Sequence, residues 1–235
     1  MPDVALLFYC IRAAQAGWEG HEKDQPFKPA TGITDCAVSG KELRMKALKL
    51  ASAVLALIAP VAMAQTSTWK SDPAHSEADF SVKHLSLSNV HGRLGKVDAT
   101  ILYNEQDITK STVNATIDVA GLDTGQAPRD NHLKTDSFFD VAKYATVTFV
   151  STGVVKGGSG LQISGNLTLH GVTKPVVLDV SGPTGPITGM DKKQHAGFEA
   201  TTTIHRLDFG VGTTFPEAVV SDEVKITIEL DAAKQ

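Results

Sequence analysis

The strongest constraint on the fold is the alternation of apolar and polar residues along most of the chain after residue 65. Val97, Ala99 and Ile101 recur at every second position, and similar segments are separated by Gly, Asn, Asp, Pro or Ser. A repeat of two residues is typical of half-buried β-strands. The pattern predicts about nine mostly antiparallel strands, counting a short one around Trp69, and almost no helix.

Three connections between these strands carry local signals. Residues 156–160 and 169–174 contain glycines that tolerate the backbone of tight hairpin turns. The longer segment 128–142 opens with Pro128, which favours the first turn of a helix, and has Asp130 near the same end. We therefore expect hairpins at the first two sites and a short helix within the third.

A strand-dominated chain of this size forms either a sandwich or a closed barrel, and strand spacing leaves both open. A barrel of about eight strands has an interior that side chains fill or that holds one small ligand. Tyr103 and Thr202 are the only polar residues on the predicted inward face, so a ligand there would be largely apolar. The candidate tunnel-lining residues are Phe80, Val82, Val97, Ile101, Tyr103, Val113, Ile117, Phe149, Ile163, Leu167, Leu178, Phe198, Ile204, Ile226 and Ile228. The alternative is a dry core in which these residues pack on one another.

Residues 45–64 have the features of a secretory signal peptide. Lysines follow Met45, an apolar run of about 13 residues is too short to span a bilayer, and an Ala-Met-Ala cleavage site ends at Ala64. We expect export to the periplasm, a mature domain of residues 65–235 and no stable membrane anchor in that domain. Residues 1–44 are interpreted as a mis-called upstream extension, with a disordered leader as the alternative.

The chain has few features of an enzyme or of a nucleic-acid-binding protein. Its formal net charge is -4 and it has no run of basic residues. Both cysteines, Cys10 and Cys36, precede the expected cleavage site, so the mature domain has no disulfide or thiol nucleophile. Its histidines show no HExxH spacing, and neither a GxSxG elbow nor a dinucleotide fingerprint is present. We predict no enzyme activity, no catalytic residue, no metal and no cofactor.

Several blocks of sequence resemble one known family along nearly the whole mature chain, from about Trp69 to Leu230. In order, the blocks are Asp72–Ser76, Phe80–Leu85, Leu87–Arg93, Arg129–Lys134, Phe138–Val141, Gly165–Val176 and Arg206–Gly210. Their order and spacing resemble the YceI-like family of periplasmic polyisoprenoid-binding proteins. The resemblance implies an antiparallel, lipocalin-like β-barrel whose interior holds an isoprenoid or similar amphiphilic chain.

That resemblance also implies a function and a partner. The expected function is non-enzymatic binding, storage or transport of a polyprenyl pyrophosphate, an isoprenoid quinone or another long-chain amphiphilic lipid. The alternative is a structural or stress-related secreted β-domain with a dry interior and no ligand. The sequence does not decide between a monomer and a homodimer.

A lipid head group needs polar donors near the mouth of a barrel. Five residues that we expect in loops beside the apolar strands are candidates: His84, Asn89, Arg93, Arg129 and His132. Arginine presents a fork of donors to a phosphate, and histidine donates from either ring nitrogen. The alternative is that these side chains cap loop backbone groups or pair with carboxylates such as that of Asp130.

Overall fold

The computed structural model describes residues 65–158 and 160–235, which form one continuous sheet with short helical segments. The predicted leader, residues 1–44, and the predicted signal peptide, residues 45–64, lie outside the described residues and stay predictions. One α-helix, α1, spans Ala127–Leu133. The nine strands are β1 Thr66–Ser71, β2 Glu77–His84, β3 Ser88–Asn104, β4 Thr112–Asp118, β5 Thr146–Gly157, β6 Gly160–Leu169, β7 Val172–Thr188, β8 Gln194–His205 and β9 Val220–Lys234.

The sheet closes into an antiparallel barrel. Neighbours follow the order β2-β9-β8-β7-β6-β5-β4-β3, and β3 pairs again with β2. Strands β1 and β2 occupy one position between β3 and β9, because β1 pairs with the end of β3 and β2 with its beginning. The barrel therefore has eight positions built from nine strands, which confirms the barrel and excludes the sandwich.

The predicted turns and helix are present where the sequence indicates them. Strands β6 and β7 pair up to Leu169 and Val172, and His170 and Gly171 between them have φ of 51° and 75°. Positive φ at both central residues is the geometry of a tight β-hairpin turn. Pro128 lies in the first turn of α1, where it costs no hydrogen bond.

Because successive strands alternate in direction, the connections fall into two groups. The helix end carries the β2–β3, β4–β5, β6–β7 and β8–β9 connections, including α1 and a 3-10 turn at Arg206–Phe209. The hairpin end carries the β3–β4, β5–β6 and β7–β8 connections and the start of β1.

Inward-facing side chains form three apolar clusters along the barrel. One, around Val97, Phe138 and Val211, lies toward the helix end, and one around Trp69 and Ala232 lies toward the hairpin end. The third, around Phe149, lies between them. Within residues 65–158 and 160–235, no helix has the length and apolar character needed to cross a membrane.

Candidate functional site

The barrel interior contains a cavity of about 210 Å³ whose wall is almost entirely apolar. All fifteen residues predicted from alternation lie on this wall, because the strands keep a period of two and place alternate side chains inward. Ligand contact by these residues stays a prediction. Small side chains explain the free space: Ala99 and Ala115 are direct cross-strand partners, and Ala200 also lines the wall.

The cavity is long relative to its volume. On β3 alone its wall extends from Leu94 to Tyr103. At about 3.3 Å per residue and a strand tilt near 40°, this stretch covers roughly 23 Å of the barrel axis. Such a space suits an extended chain better than a compact, ring-shaped ligand.

The polar side chains of the wall differ from the sequence expectation. Tyr103 and Thr202 line it as predicted, but Ser111, Thr148 and Arg206 do so as well. The expectation that Tyr103 and Thr202 were the only polar members was therefore wrong. Ser111 and Arg206 lie outside the alternating runs, so the period-two pattern could not identify them.

Arg206 is the only charged residue among the described cavity-lining positions, and it is 3% exposed. Its Nε donates to Ser221 O, Nη1 to Val211 O and Gly212 O, and Nη2 to Phe215 O and Val220 O, at 2.6–3.1 Å. A guanidinium has five N–H donors, and five carbonyls accept them. Burial lowers the pKa of Arg206, although an arginine stays charged at neutral pH. The side chain therefore holds the β8–β9 connection in place and has no donor left for a ligand.

Aromatic packing closes the helix end around this arginine. Phe138 stacks on Phe215 with ring centroids 4.7 Å apart, and His132 contacts both rings edge-on at 5.2 and 5.7 Å. Leu133, Phe138 and Phe139 of the β4–β5 connection line the cavity from this side. We call the group Leu133, Phe138, Phe139, Arg206, Val211 and Phe215 the plug.

None of the five head-group candidates lines the cavity. Three of them lie in strands near the helix end rather than in loops: His84 ends β2, and Asn89 and Arg93 belong to β3. Arg93 forms a salt bridge with Glu77 at 2.8 Å, and Asn89 accepts a 3.4 Å hydrogen bond from Lys83. These contacts match the alternative of local pairing.

Arg129 and His132 lie in α1, also at the helix end. Arg129 donates from Nε and Nη2 to Thr124 Oγ1 and O at 2.7 and 2.8 Å, and Thr124 in turn donates to Asp130. The hydrogen bond that the Thr124 hydroxyl donates is the main reason why the pKa of Asp130 is lowered. A head-group role for these five residues stays a prediction.

The hairpin end has a second, shallow pocket that shares Ile108 and Leu161 with the cavity. Its other lining residues are Lys156, Gly157, Gly158, Gly160 and Gly182. Lys156 therefore places a cationic side chain where the apolar interior meets the surface. The sequence predicts only a turn in this segment. A lysine beside consecutive glycines is the one local feature that could have indicated the pocket.

The comparison with known families agrees with this architecture. Residues 69–232 match the model of the YceI-like domain. The chain belongs to the YceI-like family. Protein YceI of Salmonella newport is 38% identical over 164 residues, which cover 68% of this chain and 83% of that protein. A UPF0312 protein of Serratia proteamaculans is 36% identical over 195 residues, covering 82% of this chain and all of the relative.

Several solved structures have the same fold. The YceI protein of Campylobacter jejuni matches with a TM-score of 0.58 and 33% identity over 65% of this chain and 90% of its own. Burkholderia cenocepacia BcnA matches with a TM-score of 0.59 and 26% identity over 68% of this chain and 98% of its own. A polyisoprenoid-binding domain of Saccharophagus degradans, at 16% identity and a TM-score of 0.52, covers 73% of this chain and all of the domain, and supports the fold alone.

Proposed function

We propose that this YceI-like protein is a non-enzymatic binding protein for an isoprenoid-type lipid, which it stores or carries in the periplasm. The observation that carries the proposal is the apolar cavity that runs along the barrel axis. The family membership agrees with it. A polyprenyl pyrophosphate and an isoprenoid quinone are the two candidate ligands.

The apolar wall supplies the driving force for this binding. Moving a lipid chain from water into the cavity gains about 0.8 kcal/mol for each CH₂ group that is buried. Val113, Phe149 and Phe198 lie on the wall together with the other predicted residues, so most of a chain would contact only carbon. Affinity then depends on the buried area, and selectivity depends on chain length and head group.

We propose further that the polar head group lies at the hairpin end. The helix end is filled by the plug, and the five donors of Arg206 are used by backbone carbonyls. At the hairpin end the pocket beside Lys156 adjoins the cavity and offers a cation. An ammonium group beside a pyrophosphate contributes a charge-assisted hydrogen bond.

The absence of catalytic activity is part of the same proposal. On the cavity wall, Ser111 Oγ accepts a hydrogen bond from Asn104 N at 3.0 Å, and Thr202 Oγ1 donates one to Val177 O at 2.9 Å. Neither hydroxyl has a histidine partner among the hydrogen bonds of the described residues. A nucleophile needs an adjacent base to become reactive, so these hydroxyls support binding rather than group transfer.

A size-matched pair of variants tests whether the ligand occupies the cavity. Ala115 faces the cavity in the middle of β4, and its neighbour Thr116 faces out. Ala115→Phe places a ring in the free space and should lower the affinity for an isoprenoid quinone at least about tenfold, whereas Thr116→Phe should leave it unchanged. Native mass spectrometry after incubation with the quinone measures both, and circular dichroism checks folding.

The competing function is a secreted β-domain whose interior is dry. In that case neither a quinone nor a polyprenyl pyrophosphate binds the wild-type protein, and protein purified from its own source carries no lipid on solvent extraction. Phe80→Asp gives a second test, because a charge in the apolar interior should abolish lipid uptake. Unchanged uptake by folded Phe80→Asp and Ala115→Phe proteins would contradict the proposal.

A further inference from the structure

Away from the cavity, the interruption between β1 and β2 brings titratable side chains together. Residues 72–76 form a tight turn in which His75 N donates to Asp72 O at 3.0 Å and Ala74 N to Asp72 Oδ1 at 2.9 Å. The turn sets the two side chains side by side, with His75 Nδ1 at 2.8 Å from Asp72 Oδ2. One imidazole and one carboxylate are thus fixed at the seam where β1 gives way to β2.

Strand β9 adds a second carboxylate to this pair. Asp72 N donates to Asp231 O at 2.7 Å, and the buried Ser76 hydroxyl exchanges hydrogen bonds with the backbone of Asp231 at 3.1 and 3.2 Å. As a result, one side-chain nitrogen or oxygen atom from each of Asp72, His75 and Asp231 lies within 4.8 Å of those of the other two. The backbone is therefore fixed on both sides of the three side chains before any ligand binds.

A further histidine orients the Asp231 carboxylate. His195 Nδ1 lies 2.8 Å from Asp231 Oδ1, and its Nε2 lies 3.1 Å from Asp191 Oδ1. Both ring nitrogens of His195 therefore lie within hydrogen-bond distance of carboxylate oxygens. This chain of contacts resembles the outer shell of metal sites, in which hydrogen bonds orient the ligating groups.

Within the described part of the chain, histidine rings are the basic groups that pair with these carboxylates. Within the described residues, no lysine or arginine lies within 4.0 Å of the carboxylates of Asp72, Asp191 or Asp231. The carboxylates of Asp72 and Asp231 are held within 4.8 Å of each other. Like charges at this separation repel, and a divalent cation between them would neutralise the excess.

We propose that Asp72, His75 and Asp231 bind a divalent transition-metal ion, with His195 as a positioning residue for Asp231. One imidazole nitrogen and two carboxylate oxygens are donors that zinc accepts, and three protein ligands leave a coordination position for water. The side chain of His75 is 69% exposed, so an ion reaches the site from solvent. Calcium and magnesium bind more weakly, because they need more oxygen ligands than this cluster offers.

No local motif indicates this site, because its residues are far apart along the chain. The expectation of no metal relied on the missing HExxH spacing, whereas the strand pairing of β9 with β1 and β8 creates the convergence. Such a metal ion would join the β1–β2 interruption to β9. The site lies outside the lipid cavity, since none of its residues lines the wall.

Zinc alone is the probe for the first experiment. The untagged wild-type protein is dialysed against Zn²⁺ at neutral pH, together with the variants His75→Gln, His195→Gln and His205→Gln. Bound zinc is then measured by inductively coupled plasma mass spectrometry. His205 is the matched control, because its Nδ1 also lies 2.8 Å from a carboxylate, that of Asp222, on another part of the surface. Comparison between variants removes the contribution of zinc bound elsewhere on the chain.

We expect the wild type and His205→Gln to bind one more zinc ion per chain than His75→Gln. His195→Gln should keep the stoichiometry but lose about tenfold in affinity, as outer-shell changes do. Zinc should raise the unfolding temperature of the wild type and not that of His75→Gln. Equal zinc binding by the wild type and His75→Gln, or no zinc binding by the wild type, would overturn the proposal, and either result leaves the lipid proposal untouched.

Discussion

The two ends of the barrel share the same antiparallel strands and differ in how their connections are built. At the helix end, long connections pack aromatic rings and a buried arginine into the barrel. At the hairpin end, the β5–β6 connection joins paired residues Gly157 and Gly160, and a pocket there adjoins the cavity. The packing at the helix end stabilises the fold, and the hairpin end is where we propose that a ligand enters.

The largest effect that we expect comes from breaking the plug at its charged residue. Arg206→Met should lower the free energy of unfolding by about 3 kcal/mol or more, because buried carbonyls lose their donors. Urea unfolding measures it. Arg93→Met is the control, since the Arg93–Glu77 salt bridge is largely exposed and should contribute little. Equal losses in both variants would contradict the structural role of Arg206.

A smaller effect should come from the backbone of the same end. Gly212 has φ of 61°, and a Cβ there would lie 2.7 Å from the Phe138 ring. Gly212→Ala should therefore lower the free energy of unfolding by about 1–2 kcal/mol. In Gly153→Ala the added Cβ meets no neighbour within 4 Å, so its stability should hardly change. If thermal unfolding shows the two variants to be equal, the plug is not tightly packed.

The barrel wall and the plug differ in how far the sequence predicts them. Alternation correctly placed residues such as Phe80 and Ile228 inside, because a strand's period of two follows from local geometry. Barrel closure needed the observation that β1 and β2 share one position, and that depends on pairing with β3 and β9. No local pattern distinguishes Arg206, with its five carbonyl partners, from a surface arginine such as Arg93.

The placement of the head-group candidates relative to the cavity could not be predicted for the same reason. His132 lies in a polar block of sequence near apolar strands, which favours a head-group role, but the fold packs it against Phe138 and Phe215. Which end of a barrel stays open depends on how loops distant in sequence pack together. Lys156 becomes a candidate because the cavity and the pocket beside this lysine share Ile108 and Leu161, a contact that no local pattern indicates.

A charge variant at each end of the barrel tests where the head group of the lipid binds. Lys156→Gln should lower the affinity for a polyprenyl pyrophosphate about three- to tenfold and leave that for a quinone nearly unchanged, because only the pyrophosphate is charged. Arg129→Gln, at the helix end, should change neither affinity. Titration calorimetry with both ligands distinguishes the ends. A loss confined to Arg129→Gln would place the head group at the helix end instead.

The smallest expected effect is a pH dependence at the helix end. The hydrogen bond with Asp222, followed by the charges of Asp222, Asp208 and Glu223, raises the pKa of His205. The folded protein then binds this proton more tightly than the unfolded chain does. The stabilisation is complete below about pH 6.5 and is lost as the pH rises through the raised pKa of the folded state.

Comparison of the wild type with His205→Gln measures this contribution. The difference between their free energies of unfolding should shrink as the pH is raised from about 6 to 9. A difference that stays constant across this range would show that the His205–Asp222 pair does not depend on protonation of the ring.

The most direct test of the central claim is a crystal structure of the protein after incubation with a polyprenyl pyrophosphate. We predict continuous, elongated electron density that enters beside Ile108 and Leu161, passes Ala115 in the middle of the barrel and ends before the plug. The pyrophosphate should lie within reach of Lys156. An empty cavity in crystals grown at saturating ligand, or a lipid bound only outside the barrel, would contradict the account.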